Sequence, residues 1–260
     1  MTVFRHELRQ GRTAFWIWTG AVGAMLAICV FLYPEMMGQM DAMGELFSSM
    51  GSFTAAFGMD RLNFGTLIGF YAIECGNMLG LGCAFYAAIT AAQILSKEQA
   101  RQTADFLFSH PIRRARVLTE KLLAVVAQVM AMNLILLALS LLSILVIGEP
   151  IPWKELLLLH LAYYLLQLEL VGICFGISAF LRRGSVAVGL GIAVLFYFLN
   201  LISNLTDAAS FLKNLTPYGY CDGAEIVTDG ALNGGRLAIG AAFCACGLVA
   251  AWLHYRKKDL

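Results

Sequence analysis

Residues 96–121 read SKEQARQTADFLFSHPIRRARVLTEK, the only long run rich in charge between apolar segments of the chain. Ser96 followed by Gln99 fits a capping box, in which two side chains each satisfy a backbone N–H at a helix start. The pattern predicts a short helix from about Lys97. Lys97, Arg101 and Asp105 recur four apart on one polar face, while Ala104, Phe106, Leu107 and Phe108 supply apolar groups near its far end. Pro111 stops it, because the residue before a proline is driven out of the helical region. Arg113, Arg114, Arg116 and Lys121 then make the run basic. Charge and periodicity leave two readings open: a solvated loop that fixes topology, or a docking helix for a cytosolic partner.

The sequence on either side reads as membrane. With 60% hydrophobic and 13% charged residues, and a mean hydropathy of +0.74, the chain is far more apolar than soluble domains, which run near a quarter charged. An all-α integral membrane protein with six spans is expected, at about 14–33, 64–95, 122–147, 155–181, 185–205 and 236–254, since about 20 apolar residues cross a bilayer. Residues 1–13 place Phe4, Leu8, Gly11 and Phe15 at helical spacing among arginines, which predicts a separate amphipathic helix in the interface plane. Gly65, Gly69, Ala72, Gly76, Gly80, Cys83 and Ala87 recur at three and four, a stripe of small residues that lets another helix approach. Thr206 to Gly235 reads as irregular or short helical structure at the outer surface. Six of the seven cysteines fall in apolar runs and read as packing residues; Cys221 stands alone in a loop.

Charge distribution orients the spans. Of 18 Lys and Arg residues, only Arg61, Lys154, Lys213 and Arg236 fall opposite the amino-terminal segment, the central loop, the Arg182 turn and the carboxyl terminus. The excess of basic residues on cytoplasmic loops places both termini and residues 96–121 in the cytoplasm of a multi-pass cell-membrane protein.

Chemistry-bearing motifs are sparse. No G-x-x-x-x-G-K-[ST] phosphate loop, H-E-x-x-H or G-x-S-x-G occurs in the sequence. Two acids interrupt apolar runs and are candidates for a translocation pathway. Glu74 precedes the outer edge of the second span and is expected at headgroup level. Glu169 stands near the bilayer middle, where an ionised side chain is costly and points to function; the competing reading is a protonated carboxyl that joins two helices. His160, nearer the outer end, reads as a satisfied interfacial histidine.

With this architecture the chain resembles the permease subunits of ABC-2 type transporters. The resemblance rests on the amino-terminal helix, the six spans, and a central stretch with an acid, a Thr, an apolar segment ending in Ser-x-Pro, basic residues and a Lys opening the next helix. Here these are Glu98, Thr103, Phe106 to Phe108, Ser109, Pro111, Arg113 or Arg114, and Lys121, joined by Thr216, Pro217 and Tyr218 before the last span and by the terminal RKKDL. It implies a half-transporter that pairs with a second permease, identical or not, in the lipid bilayer, and with two cytosolic ATPase subunits that bind the ATP. The chain itself is then neither an enzyme nor a cofactor binder, and no nucleic acid is among its partners. Glu98, Arg101, Thr103, Asp105, Phe106, Leu107, Ser109 and Pro111 become the coupling helix that meets the ATPase. A secondary transporter or channel built on Glu169 is the alternative, and a membrane enzyme a third.

Overall fold

A computed structural model describes residues 2–39, 51–57, 59, 61–63, 65–97, 114–181 and 185–257. Every regular element among them is helical. In chain order these are α1 (Thr2–Met37), α2 (Gly51–Ala56), α3 (Leu67–Gln93), α4 (Arg114–Ile147), α5 (Trp153–Phe180), α6 (Val186–Leu205), two 3-10 helices (Asp207–Asn214 and Pro217–Tyr220), α7 (Gly223–Asp229) and α8 (Gly234–Lys257). Six of them, α1, α3, α4, α5, α6 and α8, are long and apolar enough to cross a membrane. The protein is an all-α, multi-pass membrane protein.

The core gathers around α5, which packs against α8, α3 and α4, while α1 lies along α4 and α6 along α3. Within the apolar windows, 61% of α3 and of α5 is buried inside the chain, against 17% of α6 and 11% of α8. The last two therefore leave broad apolar faces, including Leu195, Phe198, Phe243 and Leu253, for lipid or another subunit.

The expected break between an interfacial helix and a first span is corrected, because α1 runs unbroken through 36 residues, about 54 Å at 1.5 Å per residue. Its buried residues are Val3, Glu7, Phe15, Thr19, Val22, Gly23, Leu26, Cys29, Val30 and Tyr33, on both sides of residue 13 of one continuous helix. Of the expected apolar face, Phe4, Leu8 and Gly11 are half-buried and Phe15 is buried. The third span also starts earlier than expected. Residues 114–121 are the first two turns of α4, supported by an Arg116–Glu120 pair one turn apart (Nε to Oε1, 2.8 Å).

In α3, π-helical turns replace α-helical ones over Tyr71–Cys75 and Met78–Cys83. Such turns release carbonyls from the regular ladder. Asn77 donates to the Ile73 carbonyl (2.8 Å), and the Tyr218 hydroxyl donates to that of Gly80 (3.2 Å). The small-residue stripe serves more than one neighbour. A Cβ at Gly76 or Gly80 would meet the Tyr163 side chain, while at Ala72 the first residue of α7 comes close, a Cβ at Gly223 lying 2.8 Å from the Ala72 carbonyl oxygen. Backbone-to-backbone approach also occurs between α5 and α8, where a Cβ at Gly176 would lie 2.6 Å from the Gly247 carbonyl oxygen and one at Gly247 would overlap that of Gly172. Gly189 of α6 is similarly close to Ala88 of α3, at 2.6 Å from its carbonyl oxygen.

Residues 206–235 form short helices as expected, but part of the stretch does not lie at the surface. Thr216 to Cys221 turn back into the bundle and are buried. The polar atoms of this turn find acceptors on three spans: Thr216 Oγ1 donates to the Phe196 carbonyl (2.8 Å), Tyr218 to Gly80, and Cys221 Sγ to Ala162 (3.4 Å). Satisfying these groups internally is what allows irregular backbone inside an apolar bundle.

Candidate functional site

Polar side chains in the spans are joined in layers across α3, α4 and α5. Tyr86 donates to Gln128 (3.1 Å) nearest the termini. Asn133 and Gln167 exchange amide bonds of 2.6 and 3.3 Å farther along. Toward the opposite face, Tyr71 Oη lies 2.7 Å from Ser140 Oγ and 2.8 Å from His160 Nε2. His160 is therefore a buried member of a three-helix cluster rather than an interfacial residue, and its Nδ1 has no partner among the described residues. Glu169 faces the other side of α5. It is buried and lies against Gly240 of α8, where any Cβ would overlap the carboxylate. The Tyr220 side chain lies near it, and among the described residues neither Tyr220 Oη nor Glu169 Oε2 has a partner within hydrogen-bond geometry. Glu74 is half-buried on the first π turn, and no hydrogen bond or ion pair joins it to Glu169.

At the end of the bundle that carries the termini, three elements meet on Glu7. The Lys121 ammonium, wholly buried, donates to Glu7 Oε1 (2.9 Å) and to the Ile94 carbonyl (2.8 Å). Lys97 pairs with Glu7 Oε2 and with Gln10 Oε1 (2.6 Å). Beside this cluster, Glu120 Oε2 accepts the Phe4 backbone N–H (3.1 Å). Ser96 Oγ turns back to the Gln93 carbonyl (3.4 Å); its expected capping partner Gln99 lies outside the described residues. So do Glu98, Arg101, Thr103, Asp105, Phe106, Leu107, Ser109 and Pro111. What is seen is how the two ends of that segment are held: Lys97 before it and Lys121 after it share one carboxylate on α1. Sequence reading counted the lysines for topology and passed over Glu7. An acid at the buried phase of an amphipathic helix, with lysines at the mouths of two spans, was the available signal.

The opposite face carries a second ionic network. Asp222 caps α7 by accepting the Ala224 N–H (3.0 Å), and its other oxygen receives Arg61 (2.9 Å) and Lys213 (3.2 Å). Lys213 continues to Glu225 (3.0 Å), which Arg236 Nη1 also meets (2.6 Å). Burial pushes the Asp222 carboxyl up, but the Arg61 and Lys213 charges outweigh it and hold the group below the ordinary aspartate range. A depressed folded value means that the stabilisation is complete above the unfolded value, about 4, and is lost as pH falls through the folded one. The stability advantage of the parent over Asp222→Asn is therefore expected to be full at neutral pH and to shrink below about pH 4. Thermal unfolding of both proteins in nanodiscs across a pH series checks this, and a gap that does not change with pH would show that the ionised carboxylate is not the source.

Residues 1–228 match the model of a family described as ABC-2 family transporter protein. No match was found among curated proteins.

Proposed function

The chain belongs to the ABC-2 transporter family, and on that premise we propose that this membrane permease subunit of an ABC transporter forms half of an ATP-driven exporter, coupled to a separate cytosolic ATPase through residues 98–111. The observation that carries the reading is the shared anchor of that segment. A coupling element must pass a rigid-body displacement to the spans. Here any pull on either end of the segment bears on Glu7, and through it on α1, α3 and α4 together. The Lys and Arg distribution supports cytoplasmic termini in the cell membrane, which puts the anchor on the ATPase side. The broad apolar faces of α6 and α8 support pairing with a second permease.

Apolar groups are needed where two proteins must move as one, since exposed contiguous apolar side chains mark interaction surfaces. Phe106→Ala or Leu107→Ala combined with Glu98→Ala is expected to lower recovery of the co-expressed ATPase subunit about tenfold, the equivalent of about 1.4 kcal/mol, while membrane insertion is unchanged. A loop that only sets topology gives the reverse: indifference to these changes and inverted reporters once Arg113, Arg114 and Arg116 are removed. Co-purification alongside a topology reporter separates the two, and full ATPase recovery without the apolar face would overturn the coupling role.

A further inference from the structure

On the face opposite the termini, a cavity of about 780 Å³ is lined by Arg61, Lys213 and Arg236, with Asn204, Ser210 and Asn214 among its polar groups. That volume lies within the range of small-molecule sites, about 300–1,000 Å³. Membrane sequences hold basic residues away from this face, yet three of the four left there converge on one cavity, from the α2–α3 connection, the first 3-10 helix and the start of α8. Among the described residues that line it there is no carboxylate.

One counter-charge, Asp222, is more deeply buried than its partners, whereas Glu225, 29% exposed, is more exposed than Lys213 at 11% and Arg236 at 21%. Asp222 and Glu225 are outside the lining, and the Asp222 side chain is 6% exposed against 37% for its partner Arg61. Arg236 directs Nη1 alone to Gly219 and Glu225; its Nε and Nη2 donors have no partner among the described residues. A guanidinium with an unused donor edge beside an ammonium matches the oxygens of a phosphate, which accept paired N–H donors in a planar fork.

We propose that this cavity binds a phosphate group, presented either by the headgroup of an anionic phospholipid or by a soluble phosphorylated molecule. The site goes beyond the permease reading and does not depend on any ATPase partner, so its test uses the purified full chain alone. One arm measures retention of phosphatidylglycerol over phosphatidylcholine by native mass spectrometry. The other titrates pyrophosphate against the chain in phosphatidylcholine nanodiscs and follows thermal unfolding. Ser210→Asp adds a carboxylate to the cavity without touching the ion pairs, Ser210 being exposed, and Arg236→Gln removes the fork. Preferential lipid retention or a saturable pyrophosphate shift is expected, and the first identifies a headgroup while the second identifies a soluble ligand. Either signal should weaken at least tenfold in Ser210→Asp, with unfolding of the ligand-free variant unchanged, and in Arg236→Gln. Absence of both signals, or the same signal in Ser210→Asp as in the parent, overturns the proposal.

Discussion

Glu7→Gln is expected to be the most damaging single change at the termini-side end of the bundle. It removes the carboxylate that the buried Lys121 ammonium and Lys97 share. Removing one partner of a buried ion pair costs about 3–5 kcal/mol, because the remaining charge stays desolvated, and that is a large share of a total stability of about 5–15 kcal/mol. Lys121→Met should be milder, since Glu7 keeps Lys97 and the replacement fills apolar space. The double variant should recover part of the loss of Glu7→Gln. A cycle of the four proteins, followed by denaturant unfolding in mixed micelles, reads this directly as a coupling of more than about 1 kcal/mol. Additive losses would mean that the contact between α1 and α4 carries no energy of its own.

The second large effect is expected between α5 and α8. At Gly247 an added side chain meets the backbone of Gly172 and Ile173, and at Gly176 it meets the backbone of Gly247. Backbone cannot rotate aside as a side chain can, so Gly247→Leu must part the two helices along their most extensive contact. Overpacking costs about 1–3 kcal/mol where side chains can adjust, and here the cost should reach or exceed the upper end. Gly240→Ala makes the control, because its Cβ would meet only the movable Glu169 carboxylate. Monodisperse yield on size-exclusion chromatography should collapse for Gly247→Leu and fall modestly for Gly240→Ala. Equal yields would remove the close approach from the account of how α8 is held.

The spans were legible because hydropathy adds up residue by residue over a window, and an orientation could be expected because Lys and Arg add up on alternate loops. Neither sum registers which residues meet. Glu7 carried no weight in a rule that counts basic residues, although it is the acceptor that ties Lys97 and Lys121 together. Asn133, Gln167, Ser140 and His160 are polar residues within apolar runs of the sequence, and only the crossing of α3, α4 and α5 pairs them. The small-residue stripe on α3 was visible, but two π turns shift its phase, so its partner could not be read from a period of 3.6. Pro217 to Cys221 looked like surface because turn residues surround them. Their burial follows from carbonyls on other spans that sequence does not locate. Of the candidate site, Glu169 was legible from depth alone, whereas its place against Gly240 depends on how closely α8 approaches α5.

The Glu7 anchor also has a schedule. Glu7 and Lys121 are 114 residues apart in the chain, and synthesis at about 5–20 residues per second separates their appearance by on the order of ten seconds. Throughout that interval the acid of α1 is unmatched by Lys121. Docking of α1 on α4 is thus a late event of biogenesis, and it closes the segment between Lys97 and Lys121 into a loop only after the third span has entered the membrane.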